Sequence, residues 1–231
     1  MKQDQQKKLA AEEAVKWIKD GMVVGLGSGS TVNWMLEKLG EKVQQGLQIT
    51  GIPSSKKTER LAKQLGIPLA DFSSVSRIDI AIDGADEVDR QFNLIKGGGG
   101  SLVREKIVDA RATEFIVIVD ESKLVSTLGK FPLPVEVLPF GWELTARAIA
   151  ELGCEPKIRE RNGERFISDN GNYILDCQFN SIQNPQQLHE QLKQMTGVVE
   201  TGLFVQMADR IIIGKEQTAE EIVASKDESI V

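Results

Sequence analysis

Imidazole and thiol chemistry are nearly absent from this chain. Among its 231 residues there is one histidine, His189, and there are two cysteines, Cys154 and Cys177. His189 sits in "PQQLHEQLKQM", a polar helical pattern that reads as surface. A histidine base or a cluster of imidazole ligands is therefore not expected. The cysteines lack Cys-x-x-Cys spacing, so no structural zinc is indicated and a reducing compartment is expected rather than a disulfide. No apolar run approaches membrane-spanning length, and "MKQDQQKKLAAEEAVKWIKDG" has no apolar core of the secretory kind. These absences point to a cytoplasmic protein with no membrane partner. The net charge is −6, and there is no basic patch or helix-turn-helix pattern, which argues against a nucleic-acid partner. An anionic ligand would have to be held by local donors. There is no internal repeat and no low-complexity linker.

What is present is ordinary for a globular protein: 41% hydrophobic and 27% charged residues, enough for a core in one or two domains. Ala10, Ala14, Trp17 and Ile18 have helical spacing over residues 3–20, with Gly21 placed to end the helix. "MVVGLG" and "LQITGI" read as strands, as do "IPLA", "RIDIAID" and "EFIVIVD". "TVNWMLEKLGEKV", "KKTERLAKQLG" and "SLVREKIVDARA" read as helices between them. This alternation is the pattern of a Rossmann-like, mostly parallel α/β sheet with helices on both faces. After residue 130 the style changes. "FPLPVEVLPFG", with three prolines, reads as a connector. Helix, strands, helix and strand then suggest a small α+β unit over residues 131–207. "DRIIIGK" reads as a strand returning to the first sheet, so residues 1–130 and 208–231 would form one α/β domain with the small unit inserted.

Three segments carry candidate chemistry. "GLGSGST", Gly25 to Thr31, lies between a strand and a helix, where open α/β sheets bind ligands. It lacks the sixth-position glycine of a dinucleotide fingerprint and the lysine of a nucleotide P-loop. A small phosphate or carboxylate site fits, and so does a plain turn capped by Ser30 or Thr31. In "IDGADEVDRQFNLIKGGGGSLVREKI" four acids, Asp83, Asp86, Glu87 and Asp89, fall close together. Gly84 permits a turn that aims Asp83 and Asp86 into one crevice, although a solvated acidic turn would look the same. Lys96 and the glycines 97–100 follow, a cation and a row of backbone donors. Glu105 falls one turn into the next helix if Ser101 is its N-cap; a charged helix surface is the plainer reading of "REK". Together these residues describe a pocket for a small polyhydroxylated anion, with a base near a carbonyl-stabilising cation.

The motifs "GLGSGST", "DGADEVD", "KGGGGSLVREKI" and "VIVDESKLV", in that order, resemble the type A ribose-5-phosphate isomerases, and the likeness extends to "ELTARAIAELG" and "TGLFVQMADRIIIG". The resemblance implies interconversion of D-ribose 5-phosphate and D-ribulose 5-phosphate with no metal or other cofactor. It implies Glu105 as the base shuttling a proton between C1 and C2. Lys96 would stabilise the oxyanion, aided by the amides of Gly97, Gly98 and Gly99. Asp83 and Asp86 would bind hydroxyls and assist ring opening, with Gly84 and Ala85 alongside. Ser28, Gly29, Ser30 and Thr31 would line the substrate site, Lys123 would contact the substrate near its phosphate, and Lys7 would also reach the phosphate. It also implies a homodimer or homotetramer. Three rivals remain: a CoA-transferase with a glutamate nucleophile, a non-catalytic sugar-phosphate sensor, and a metal-dependent enzyme built on the acidic turn.

Overall fold

The structure, a computed structural model, describes residues 2–224. Helix α1 (Lys2–Val15) precedes strand β1 (Val23–Leu26), helix α2 (Ser30–Gln44), strand β2 (Thr50–Pro53) and helix α3 (Lys56–Gln64). Strand β3 (Ile78–Gly84) leads into the short strands β4 (Glu87–Val88) and β5 (Leu94–Ile95). Helix α4 (Leu102–Asp109) and strand β6 (Ala112–Asp120) complete this half. The chain continues through β7 (Leu133–Val137), α5 (Trp142–Ala150), β8 (Glu155–Ile158), β9 (Glu160–Arg161), β10 (Glu164–Arg165), β11 (Tyr173–Gln178) and α6 (Pro185–Lys193). It ends with β12 (Val198–Thr201), β13 (Leu203–Phe204), β14 (Arg210–Gly214) and β15 (Ala219–Val223).

The main sheet has the order β15-β14-β6-β3-β1-β2. It is parallel except for β15, which runs antiparallel on β14. Its inner strands are continuous apolar runs because both faces are covered. On one face Val24, Leu26, Ile80, Ile82, Ile116 and Ile118 pack against α1 and α2; on the other Ala81, Val117, Val119, Ile211 and Ile213 share a core with Val108 of α4. A separate antiparallel sheet, β12-β7-β11-β8, carries α5 and α6. Strand β13 leaves it to pair with β5. That contact ties the second sheet to the segment just before Lys96.

Several expectations need correction. "FPLPVEVLPFG" contains β7, the fully buried inner strand of the second sheet. Pro134 removes one donor but leaves its carbonyl, which accepts from the Gly202 N–H at 2.7 Å. "IPLA" makes only an isolated bridge, Gly51 with Leu69. Helix α1 stops at Val15, before Trp17 and Ile18, and Gly21 turns the chain into β1 instead of capping it. Edge strand β15, Ala-Glu-Glu-Ile-Val with four of its five side chains exposed, has no alternating apolar pattern to reveal it. His189 is not a plain surface residue: its Nδ1 lies 2.8 Å from Thr201 Oγ1, and burial lowers its pKa.

Candidate active site

Strands β1 and β3 are neighbours in the main sheet, so the turns after them lie side by side at its carboxyl end. Gly27 makes this possible. A Cβ there would sit 2.2 Å from Asp83 Cγ. Without it, Asp83 Oδ1 accepts from the Ser28 N–H at 2.9 Å and from the Gly84 N–H at 2.7 Å. The capping residue of α2 is Gly29, at φ 117°, and not Ser30 or Thr31. The first helical amide to find an acceptor is that of Asn33, on Gly29 O. The amides of Ser30, Thr31 and Val32 have no backbone acceptor among the described residues, and with the exposed Ser30 hydroxyl they form the kind of helix start that can take an anion.

Ser28 turns its hydroxyl away from that role. It joins a cluster with Ser54, Ser55 and Thr58, at 3.0, 2.9 and 3.1 Å. Thr58 in turn donates to Gly27 O at 2.7 Å. The serines that stand where a dinucleotide site would carry an acid thus brace the first glycine loop, and Ser55 also caps α3.

The four acids of the second motif separate. Glu87 is buried and accepts from the Gly129 and Phe131 amides at 2.7 and 2.6 Å. Asp89 closes its own loop through the amides of Gln91 and Asn93. Asp86 accepts from the Gly98 N–H at 2.7 Å. Burial raises its pKa, opposed by that N–H and by Lys96. Asp83 is fully buried and forms an ion pair with Lys96 Nζ at 2.9 Å.

Lys96 is 1% exposed and also reaches Gly84 O at 2.5 Å and Glu105 Oε1 at 3.3 Å. Burial alone would push the ammonium's pKa down, but the carboxylates of Asp83, Glu105 and Asp109 outweigh it and hold Lys96 charged. Ser101 is the N-cap residue of α4, although its hydroxyl makes no capping bond. The Glu105 N–H begins the helix on Ser101 O at 2.9 Å. Burial drives the Glu105 pKa up to about 8; Lys96 opposes this, and Asp83 and Asp86 add to it. Glu105 Oε2 has no hydrogen-bond partner among the described residues.

One cleft of about 550 Å³, its open mouth included, is walled by Ser28, Gly29, Ser30, Thr31, Gly84, Ala85, Asp86, Lys96, Gly97, Gly98, Gly99 and Glu105, together with Lys7 and Lys123. The structure thus gathers every residue anticipated for the site except Asp83, which lies behind the wall as the partner of Lys96. Gly98, moreover, has already committed its amide to Asp86, so Gly97 and Gly99 remain as the loop's donors. Two neighbours carried no motif. Asp109, one turn beyond Glu105 on α4, is buried against Asp83, and neither of its carboxylate oxygens meets an N–H or hydroxyl donor among the described residues. Arg159, distant in sequence, binds the carbonyls of the second glycine loop. No group of three or more His, Cys, Asp or Glu among the described residues is arranged to hold a metal ion.

The description "ribose 5-phosphate isomerase A (phosphoriboisomerase A)" belongs to the family model that matches residues 50–218. Ribose-5-phosphate isomerase A 1 of Oceanobacillus iheyensis is 56% identical over 215 residues, covering 93% of this chain and 96% of that protein. A solved D-ribose-5-phosphate isomerase in complex with phospho-erythronic acid superposes with a TM-score of 0.93 at 41% identity, covering 96% of this chain and 100% of that one. Ribose 5-phosphate isomerase from Plasmodium falciparum gives 0.92 at 42% identity, covering 95% and 98%. Likeness of this extent in both sequence and fold has one reading: the chain belongs to the ribose 5-phosphate isomerase A family.

Proposed function

We infer that this protein interconverts D-ribose 5-phosphate and D-ribulose 5-phosphate through an enediolate, with Glu105 as the base and Lys96 as the cation beside it. The observation that carries the reading is the 3.3 Å contact between these two side chains on the wall of a cleft that also holds Lys7, Lys123 and the start of α2. Glu105 Oε2, which has no competing hydrogen bond among the described residues, takes the proton from C2 of the open-chain aldose and returns it to C1, while the O2 hydroxyl proton passes to O1 in the enediolate. As it does so the negative charge passes from Glu105 to the enediolate oxygens. Lys96 then exchanges one anionic neighbour for another, and the amides of Gly97 and Gly99 add directed donors. Charge is moved within a preorganised site instead of being created in it, which is where a dry pocket helps most.

Asp83 holds Lys96 in place and charged. Asp86, on the cleft wall, accepts from sugar hydroxyls and assists ring opening. The free amides of α2, the Ser30 and Thr31 hydroxyls, Lys7 and Lys123 receive the phosphate. Neither lysine is engaged in an ion pair among the described residues, so both are available. No step requires a metal.

The second sheet and its helices, residues 131–207, serve as a separate smaller domain and as the contact surface of a homodimer or homotetramer. Exposed Leu138, Phe140, Leu144 and Ile167 on that unit support this. Light scattering after size exclusion reads the assembly directly.

The direct test is ketose formation from ribose 5-phosphate in deuterated water, with and without EDTA. Wild type is expected to isomerise, to incorporate solvent deuterium and to ignore the chelator. Glu105→Gln is expected to keep the fold and lose about 10²- to 10⁴-fold in turnover. Turnover retained in that variant removes Glu105 as the base; activity abolished by EDTA favours a metal mechanism.

A further inference from the structure

Arg159 follows β8 in the second sheet, far from every motif that marks the cleft. Its guanidinium donates through Nη1 to Gly97 O at 2.8 Å and to Gly98 O at 3.3 Å. Nε and Nη2 are held by the Asp176 carboxylate, the former at 2.9 Å, so the fork is clamped from behind. The Phe166 ring lies 6.0 Å from the guanidinium carbon and fills the space where a Cβ on Gly100 would be.

In a trans peptide the C=O and the following N–H point in opposite directions. The chain has no cis peptides among the described residues. Fixing Gly97 O therefore fixes the Gly98 N–H on the opposite side, where it meets Asp86 Oδ2 at 2.7 Å. Fixing Gly98 O likewise turns the Gly99 N–H away from Arg159, and Gly99 lies on the cleft wall with open space beside it. Glycines have no side chain to resist a flip of either plane, so a loop of four needs an external hold. A cation on the carbonyl side also polarises each peptide and strengthens the donor at its far end.

We propose that Arg159 is a positioning residue for the isomerisation: by gripping the carbonyls of Gly97 and Gly98 it sets two peptide planes, aiming the Gly98 amide at Asp86 and the Gly99 amide at the reacting oxygens. This rests on the function proposed above. The grip reaches from the end of β8 in the second sheet to the glycine loop between β5 and α4, so the smaller unit supplies part of the site's preorganisation.

The proposal separates from a scaffold role by what moves. Arg159→Ala is expected to lower kcat by about 10- to 100-fold, toward the loss seen when one oxyanion donor is removed. KM for ribose 5-phosphate should change little, because the phosphate is held elsewhere. Affinity for phospho-erythronic acid should fall. Added guanidinium salt, at concentrations that leave the melting temperature unchanged, should restore part of kcat. Arg159→Lys, which keeps the charge but not the fork, should lie between the two. A kcat within twofold of wild type in Arg159→Ala overturns the proposal. So does a variant that loses thermal stability and KM together with kcat and gains nothing from guanidinium. Wild type assayed alongside distinguishes this failure from failure of the isomerase reading itself, in which no ketose would form at all.

Discussion

Three buried acids, Asp83, Glu105 and Asp109, share one ammonium, Lys96, and this arrangement sets the pH behaviour of the site. Burial raises the Glu105 pKa to about 8, so the base is mostly protonated at neutral pH. As the base proposed above, Glu105 acts only when ionised, so kcat/KM is expected to rise through about pH 7–9 with a limb near that value. Lys96→Ala removes the charge that opposes the burial effect, so any residual activity should have its limb displaced to higher pH. A limb that moves down, or that stays in place, would show that Lys96 does not set the titration of Glu105. Stability carries the same sign. A carboxyl raised in the folded state favours folding while it is protonated and loses that contribution as pH climbs from its unfolded value toward about 8. Glu105→Gln is therefore expected to melt above wild type at pH 9 and close to it at pH 5, which thermal scans at the two pH values will show. Burial, with Asp83 beside it, pushes the Asp109 pKa well up and so favours its protonated form. Asp109→Asn, which mimics the protonated form that this shift favours, should keep kcat within about a few-fold; a collapse of activity would require its ionised form. Lys96→Ala should lower turnover more than Lys123→Ala, which should chiefly raise KM. The reverse ranking would exchange their roles.

At the scale of elements, the two loops act through what holds them. Gly27 gives Asp83 its place, since a Cβ would fall 2.2 Å from the Asp83 carboxyl carbon. Gly27→Ala should displace Asp83, loosen Lys96 and cost several-fold in kcat beyond its effect on stability, a split that kinetics paired with melting curves will read. Helix α3 begins at Ser55, whose side chain accepts from the Thr58 N–H at 3.0 Å. Ser55→Ala removes that cap, at a cost of about 1 kcal/mol, and also opens the hydroxyl cluster under Ser28. Denaturant titration measures the first effect. If the cluster braces the loop as its geometry suggests, KM should rise as well. Element positions in the first half were legible from the periodicity of residues such as Val32, Met35, Leu36 and Leu39, all of which are fully buried. β7 was not legible, because three prolines outweighed the alternation of Leu133, Val135 and Val137 in a reading that had no knowledge of strand partners. A proline is tolerated there because its carbonyl still finds the Gly202 amide.

For the molecule as a whole, the site depends on chain segments far apart in sequence. Helix α1 brings Lys7 to the cleft while lying on strand β14, about 200 residues away in sequence. The approach is so close that a Cβ on Gly214 would lie 1.7 Å from Gln6 O, one residue from Lys7. Gly214→Ala should push α1 outward, lower the melting temperature, and raise KM for the sugar phosphate more than it lowers kcat. An unchanged KM in a destabilised variant would mean that Lys7 takes no part in holding the substrate. The second sheet reaches the same cleft from the other direction, through β13 on β5 and through Arg159. No helix among the described residues is long and apolar enough to cross a membrane.

The residues alone decided the chemistry available: a scarcity of imidazole and thiol, two glycine loops, a lysine and a spaced set of carboxylates, all local features written in composition and motif order. They also decided the α/β class, because strand and helix periods are properties of short segments. Only the tertiary structure decided which acids meet. Glu87 and Asp89 turn away to neighbouring backbone amides, Asp83 withdraws behind Lys96, and Asp109 and Arg159 arrive from a helix turn and a sheet that no motif announced. The reason is physical: a side chain's partners and its desolvation are set by packing between segments distant along the chain, and those two quantities fix the charge it carries.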